Sequence, residues 1–110
     1  KFFYERYNLP LMITENGMTN IDFVTMDGKV QDPQRIDFLK RYLKGLHQAI
    51  EEGVPVLGYL YWSILDNFEW AEGYEPRFGL VYVDYQTQER TRKASSYWYE
   101  QLIHSNILNI

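Results

Sequence analysis

The sequence predicts an α/β fold in which two βα units build a parallel sheet, and three observations carry that reading. Two apolar runs, from Leu11 to Gly17 and from Val54 to Ser63, have the length and the β-branched or aromatic content of strands. Between them lies one long segment whose apolar residues recur at three- and four-residue steps. The second run, Val-Pro-Val-Leu-Gly-Tyr-Leu-Tyr-Trp-Ser, carries almost no polar residue on either face, as expected of a strand covered by helices on both sides. Strand, helix and strand in that order form a βαβ unit.

Taken in order, Lys1 to Tyr7 sets charges among aromatics and reads as the tail of a helix. It lacks the apolar core of a signal peptide. In the first strand Pro10 sits at the start, where a missing N–H is tolerated, and alternation places Leu11, Ile13 and Glu15 on one face. Asn16-Gly17 accepts positive φ and ends the strand just after the acid. Met18 to Gln31 reads as a loop with Asn20, Asp22 and Asp27-Gly28 as turn residues. Asp32-Pro33 then reads as an N-cap followed by proline in the first turn. The helix it opens aligns Ile36, Leu39, Leu43, Leu46 and Ile50 in one stripe, and Gly53 with Pro55 closes it.

After the second strand, Ile64 to Arg77 reads as a long irregular loop rich in Asp, Asn, Glu and Trp. Phe78 to Asp84 alternates like a short extra strand, and Tyr85 to Arg90 returns as a polar turn. A last helix from about Thr91 sends Ala94, Tyr97, Trp98, Leu102 and Ile103 toward a core, and Asn106 to Ile110 is expected to fray. Two parallel strands do not make a finished sheet. The chain is therefore expected either to be part of a larger α/β body or to complete one by self-association, as a homo-oligomer.

Composition narrows the classes of function. A net charge of -4 gives no footprint for nucleic acid, and no basic amphipathic stretch suggests a membrane surface. No run approaches the roughly 18 apolar residues that span a bilayer. With no cysteine there is neither a disulfide framework nor a thiolate metal site, which fits a reducing compartment, and a cytoplasmic location is expected. Aromatics are abundant, with ten tyrosines, six phenylalanines and three tryptophans. Rings of this kind stack on the apolar faces of sugars, although they more often fill cores.

Glu15 stands at the end of one strand, Trp62-Ser63 ends the next, and Asp66-Asn67-Phe68-Glu69-Trp70 follows at once. A glutamate before a turn is commonly solvated and idle. In a parallel pair, however, both strand ends point the same way, so Glu15, Trp62, Glu69 and Trp70 are expected to face a common pocket at the lip where barrel enzymes place their catalytic acids. Two carboxylates with two tryptophans suit a sugar: acids for its hydroxyls and anomeric carbon, rings for stacking.

Three separated motifs then resemble one family. Ile13-Thr14-Glu15-Asn16-Gly17, the run from Tyr61 to Tyr74, and Arg77 to Tyr85 with the downstream Thr87, Arg90, Lys93, Ser95 and Tyr97 are similar to the C-terminal portion of glycoside hydrolase family one, the β-glucosidase family. The resemblance covers essentially the whole chain. It implies a retaining glycosidase on a (β/α)₈ TIM barrel, with residues 1–110 as the C-terminal part of that single domain, supplying strands seven and eight with their helices. Glu15 would be the nucleophile, Trp62 the platform under the glycone, Glu69 the acceptor for its 4- and 6-hydroxyls, Trp70 a partner of the 3-hydroxyl, and Phe78 the lining near the 6-position. The substrate implied is a β-glucoside or cello-oligosaccharide, as in cellulose degradation, with β-galactosides as a further class. Neither cofactor nor metal is expected. The family commonly has a cis peptide after the tryptophan of strand eight, so Trp62-Ser63 is predicted to be cis.

Substrate class reads one step further through the same resemblance. Members acting on 6-phosphorylated glycosides replace the Glu69 position by a small residue and supply a lysine shortly before the Arg77 position. Here Glu69 is present and Glu75-Pro76 precede Arg77, so an unphosphorylated glycoside is expected. Two departures, Arg92 where proline is common and Arg41-Tyr42 where a histidine is common, fall on positions read as outer helices. The segments resembling the acid/base, the early glycone-binding residues and the tyrosine that bonds the nucleophile have no counterpart. Because a barrel takes about 200 residues or more, the chain alone is expected to hydrolyse nothing at a useful rate.

Other residues carry less. Tyr97, Trp98 and Tyr99 are expected to pack, and His47 and His104 lie on polar helix sides without matched ligands. Asp66, Glu72 and Asp84 lack the spacing of a calcium loop. Two rival readings remain: a non-catalytic (βα)₂ structural fragment that self-associates through its sheet edges, and a pseudoenzyme kept as a sugar-binding module, disfavoured because Glu15 and Glu69 are both intact.

Overall fold

In the computed structural model, which describes residues 1–108, the two apolar runs pair as a parallel sheet. Helix α1 (Phe2–Tyr7) leads into β1 (Leu11–Asn16), α2 (Pro33–Glu51) and β2 (Val56–Tyr61). An irregular segment with one 3₁₀ turn (Trp70–Glu72) precedes the antiparallel hairpin β3 (Val81–Val83) and β4 (Arg90–Arg92), and α3 (Ala94–Ser105) ends the order. The Leu11 N–H donates to the Pro55 carbonyl at 2.9 Å and the Trp62 N–H to the Asn16 carbonyl at 2.9 Å, so the pairing is closed at both ends.

The ladder is uneven where it matters. Ile13 pairs with Tyr59 but Asn16 with Tyr61, so β1 spends three steps where β2 spends two. The extra residue is a bulge, which re-aims side chains. Ile13 and Asn16 consequently both border the helix side, near Tyr42 and Tyr59, and Glu15 is exposed on the other. The expected face shared by Leu11, Ile13 and Glu15 is thus corrected: alternation breaks at the bulge.

Helix α2 starts and stops as its punctuation predicts, with Pro33 in the first turn and Gly53 at φ 93, in the left-handed region beyond the end. Leu39 is fully buried, while Ile36, Leu43 and Leu46 are half-buried. Asp32 departs from expectation, because its side chain makes no cap on its own helix. Its carboxylate instead accepts the Ser95 N–H at 2.9 Å and the Ser95 hydroxyl at 2.5 Å. It therefore caps the first turn of α3, 63 residues away.

Two further expectations are corrected at the end of the chain. Thr91 lies in β4, opposite Tyr82, and α3 begins only at Ala94, because Arg90–Arg92 completes a hairpin that its polar side chains do not advertise. Arg92 is likewise on that strand, not on a helix. Its guanidinium lies 4.0 Å from the centroid of the Tyr97 ring and bonds the Ser96 hydroxyl at 2.9 Å, leaving Tyr97 exposed. Ile103 is also exposed, so the buried side of α3 is narrower than its composition suggests. Asn106 ends α3 at φ 53; of the terminal stretch expected to fray, Asn109 and Ile110 lie outside the described residues.

The apolar core is small: Val30, Leu39, Val54, Phe78, Leu80 and Val83. Helices cover one face of the β1–β2 pair. On the other Leu57 is 73% exposed and Leu60 50%, so the expectation of a strand covered on both faces is not met within this chain. Two strands alone cannot close over that face.

Candidate active site

The C-terminal ends of β1 and β2 meet at a cleft of about 350 Å³ lined by Glu15, Gly17, Thr19, Trp62, Glu69 and Phe78, among others. Gly17 permits this approach: a Cβ there would stand 2.1 Å from the Trp62 carbonyl oxygen. Only glycine fits so close to another backbone. The Trp62-Ser63 peptide is cis, as predicted. The Trp62 ring stacks on Phe78 with centroids 6.4 Å apart and planes 26° from parallel, and remains about half exposed toward the cleft.

Four of the five residues expected at the site are thereby brought together: Glu15, Trp62, Glu69 and Phe78. Trp70 is not. It is 85% exposed and lies outside the cleft lining, because the chain turns sharply there. The Glu69 N–H donates to the Gly73 carbonyl at 2.7 Å, the Gly73 N–H returns to the Glu69 carbonyl at 2.9 Å, and Trp70 takes a φ of 28. Adjacent residues in so tight a turn point apart.

The surroundings of the cleft are held by neutral phenols. Burial pushes the Tyr61 phenol up to about 12, and its hydroxyl donates to the Phe78 carbonyl at 2.8 Å. Burial raises the Tyr59 phenol as well, and it donates to the Asn16 side-chain oxygen at 2.6 Å, fixing the residue beside Glu15. Ser63 is held in the turn by bonds from its hydroxyl to the Leu65 carbonyl at 2.7 Å and from the Asn67 amide at 3.0 Å.

Behind the cleft lies a feature that the sequence reading did not find. Asp22, Asp32, Arg35, Asp66, Arg77 and Lys93 form one buried ion cluster, three acids against three bases. Arg35 bonds Asp22 at 2.7 Å and also pairs with Asp32; Lys93 bridges Asp22 at 2.6 Å and Asp66 at 2.7 Å; Arg77 meets Asp66 at 2.8 Å. Burial pushes the Asp22 carboxyl up, but hydrogen bonds and charge from Arg35 and Lys93 outweigh it and hold the group below the usual carboxylate range. One signal was available: Arg35 precedes Leu39 by four residues and so puts a charge at the head of the buried side of α2.

Chemically, the cleft offers two carboxylates at an open lip, one flat indole and a phenylalanine edge. Among the described residues no group of three or more His, Cys, Asp or Glu side chains converges as a metal site would.

Comparison with known proteins agrees with this geometry. The family model "Glycosyl hydrolase family 1" matches residues 1–108. Beta-glucosidase A of Thermotoga maritima is 55% identical over 103 residues, covering 93% of this chain and 23% of its own length. Beta-glucosidase 44 of Arabidopsis thaliana is 48% identical over 103 residues, with 93% and 20% covered. The solved structure of the family 1 β-glucosidase from Thermotoga maritima superposes with a TM-score of 0.97 at 52% identity, covering 99% of this chain and 25% of that one. The same enzyme in complex with isofagomine lactam gives 0.96. The chain thus spans about a quarter of the length of the relatives it matches, and its fold is a fragment of the family 1 TIM barrel. It belongs to glycosyl hydrolase family 1.

Proposed function

We propose that the protein carrying this chain is a retaining β-glucosidase, and that residues 1–110 are the C-terminal part of its single barrel domain, strands seven and eight with their helices. The observation that carries the proposal is the convergence of Glu15, Glu69, Trp62 and Phe78 on one cleft at the strand ends. Glu15 attacks the anomeric carbon of a β-glucoside or cello-oligosaccharide as the bond to the leaving oxygen breaks. An acid/base on the remaining barrel segment protonates that oxygen, standing about 5–5.5 Å from the nucleophile as retaining pairs do. The same residue then deprotonates a water, which displaces Glu15 and releases the sugar with its configuration retained.

Trp62 underlies the glycone while Glu69 accepts its 4- and 6-hydroxyls, and Phe78 faces the 6-position. The contact proposed for Trp70, the 3-hydroxyl, requires its ring to turn in from its exposed position. β-Galactosides are a further substrate class, since Glu69 meets the hydroxyl at which the two epimers differ. A cytoplasmic site of action belongs to the same proposal and is checked by cell fractionation. A second reading applies to the chain in isolation: the open sheet face around Leu57 and Leu60 favours self-association, read from its mass in solution.

The test is incubation with a 2-deoxy-2-fluoro-glucoside bearing a good leaving group, followed by peptide mass mapping. Label on Glu15 is expected when this chain is complemented by the rest of the barrel, and none when it is alone. A folded, complemented barrel that takes no label on Glu15 would overturn the assignment.

A further inference from the structure

The buried cluster and the cleft share one residue's neighbours. Phe78 lies between Arg77 and Gly79, and both of these donate to the same carboxylate: Arg77 Nη1 to Asp66 Oδ2 at 2.8 Å, and the Gly79 N–H to Asp66 Oδ1 at 2.9 Å. Lys93 Nζ adds a third donor to Oδ1 at 2.7 Å, and the Val83 N–H approaches Oδ2 at 3.4 Å. The backbone is tied to match, since the Asp66 N–H reaches the Val81 carbonyl at 3.0 Å and the Leu80 N–H the Ser63 carbonyl at 3.0 Å. A Cβ at position 79 would stand 2.3 Å from the Asp66 nitrogen, so this approach too depends on glycine. The Asp66 side chain itself is wholly buried and cannot touch a sugar.

We infer that Asp66 is a positioning residue: by holding Arg77 and Gly79 together, it sets the ring of Phe78 against Trp62 and thereby the shape of the cleft at the glycone's 6-position. The consequence for substrate choice rests on the reading of the cleft as a glycone pocket; the positioning of Phe78 does not. Without Asp66 the Phe78 carbonyl keeps the bond from Tyr61 and the long approach of the Ser63 N–H, at 2.8 and 3.4 Å, and the Arg77 carbonyl keeps Asn20 and Arg35, at 2.8 and 2.9 Å, while the Gly79 N–H and the Arg77 side chain lose the acceptor they share. Asp66→Asn keeps the shape of the side chain but replaces one acceptor oxygen by a donor. Whichever way the amide sits, that donor meets N–H groups.

The experiment uses the full-length enzyme with 4-fluorophenylalanine at position 78, read by ¹⁹F NMR, together with kcat/KM for a β-glucoside and for the β-xyloside that lacks the 6-hydroxymethyl group. Asp66→Asn is expected to shift or split the fluorine line and to lower the glucoside-to-xyloside ratio by roughly tenfold, the scale of discrimination that one misplaced apolar group costs. That ratio is independent of how much enzyme is folded. Ser95→Ala, which removes a hydroxyl bond to Asp32 at the far side of the same cluster and touches neither Arg35, Arg77 nor Gly79, is expected to lower the melting midpoint and leave line and ratio alone. If Asp66→Asn does not fold, Arg77→Lys loosens one flank of Phe78 and is read in the same way. A folded variant with the parental fluorine line overturns the inference. A shifted line with an unchanged ratio in an active parent upholds the positioning of Phe78 and overturns its consequence at the glycone's 6-position; a parent that hydrolyses neither glycoside overturns the glycone reading of the cleft.

Discussion

The segment from Trp62 to Val83 contributes to two regions that use the same residue types to opposite ends. On one side Asp22, Asp32 and Asp66 meet Arg35, Arg77 and Lys93, and every carboxylate is sealed from water and matched by a cation. On the other, Glu15 and Glu69 border an open cleft, and neither takes part in an ion pair among the described residues. A carboxylate already saturated by protein donors has nothing left to offer a ligand. The difference separates the acids that build the wall from those whose oxygens stay open to the cleft, a distinction that composition does not make.

That contrast is broken most severely at Glu15. In the full-length protein Glu15→Ala is expected to lower kcat by on the order of 10⁴-fold or more, the effect of losing the nucleophile proposed above. Azide should restore part of the rate by attacking the anomeric carbon from the vacated side, and the product, an α-glycosyl azide, would be read by NMR. On the walled side, Arg35→Leu removes a wholly buried cation and leaves Asp22 and Asp32 without it. Breaking such a pair costs about 3–5 kcal/mol, so chemical denaturation should show a large loss of stability. Gly79→Ala is expected to follow at about 3 kcal/mol, through overpacking against the Asp66 backbone.

A pH titration sharpens the comparison. Asp22 titrates below its ordinary range in the folded protein, so the stability it contributes is full above the unfolded value of about 3.9 and is lost as pH falls through the folded one. The melting midpoint of the parent should therefore fall on acidification through that window. Asp22→Asn should start lower at neutral pH and fall less. The smallest effect belongs to the surface: Arg41→Ala removes an exposed pair with Asp37, and the midpoint should not move within error.

What the sequence disclosed follows from the range of the forces involved. Pro33 and Gly53 act on their own backbone, so α2 was bounded to within a residue or two. The nucleophile-like Glu15 before Asn16-Gly17, and Trp62 before Glu69, were legible because strand ends bring them together without any further contact. The bulge at Glu15 was not, since it depends on the register against β2 and no residue in β1 marks it. Strand β4 was hidden because Arg-Thr-Arg has no apolar face, and its partner lies across a turn. The ion cluster was the least visible. Each member alone resembles a turn residue, a cap or a solvated charge, and Lys93 meets Asp22 across 71 positions of chain.

Asp32 carries a consequence for how the molecule opens. One carboxylate sits where α2 begins and satisfies the amide with which α3 begins, so the start of α3 is not complete by itself. Fraying, which ordinarily starts at such ends independently, is coupled here: freeing the first turn of α3 leaves the carboxylate at the head of α2 to Arg35 alone. In hydrogen exchange the Ser95 amide should then report the opening of both helices as one cooperative unit, although they are far apart in the chain.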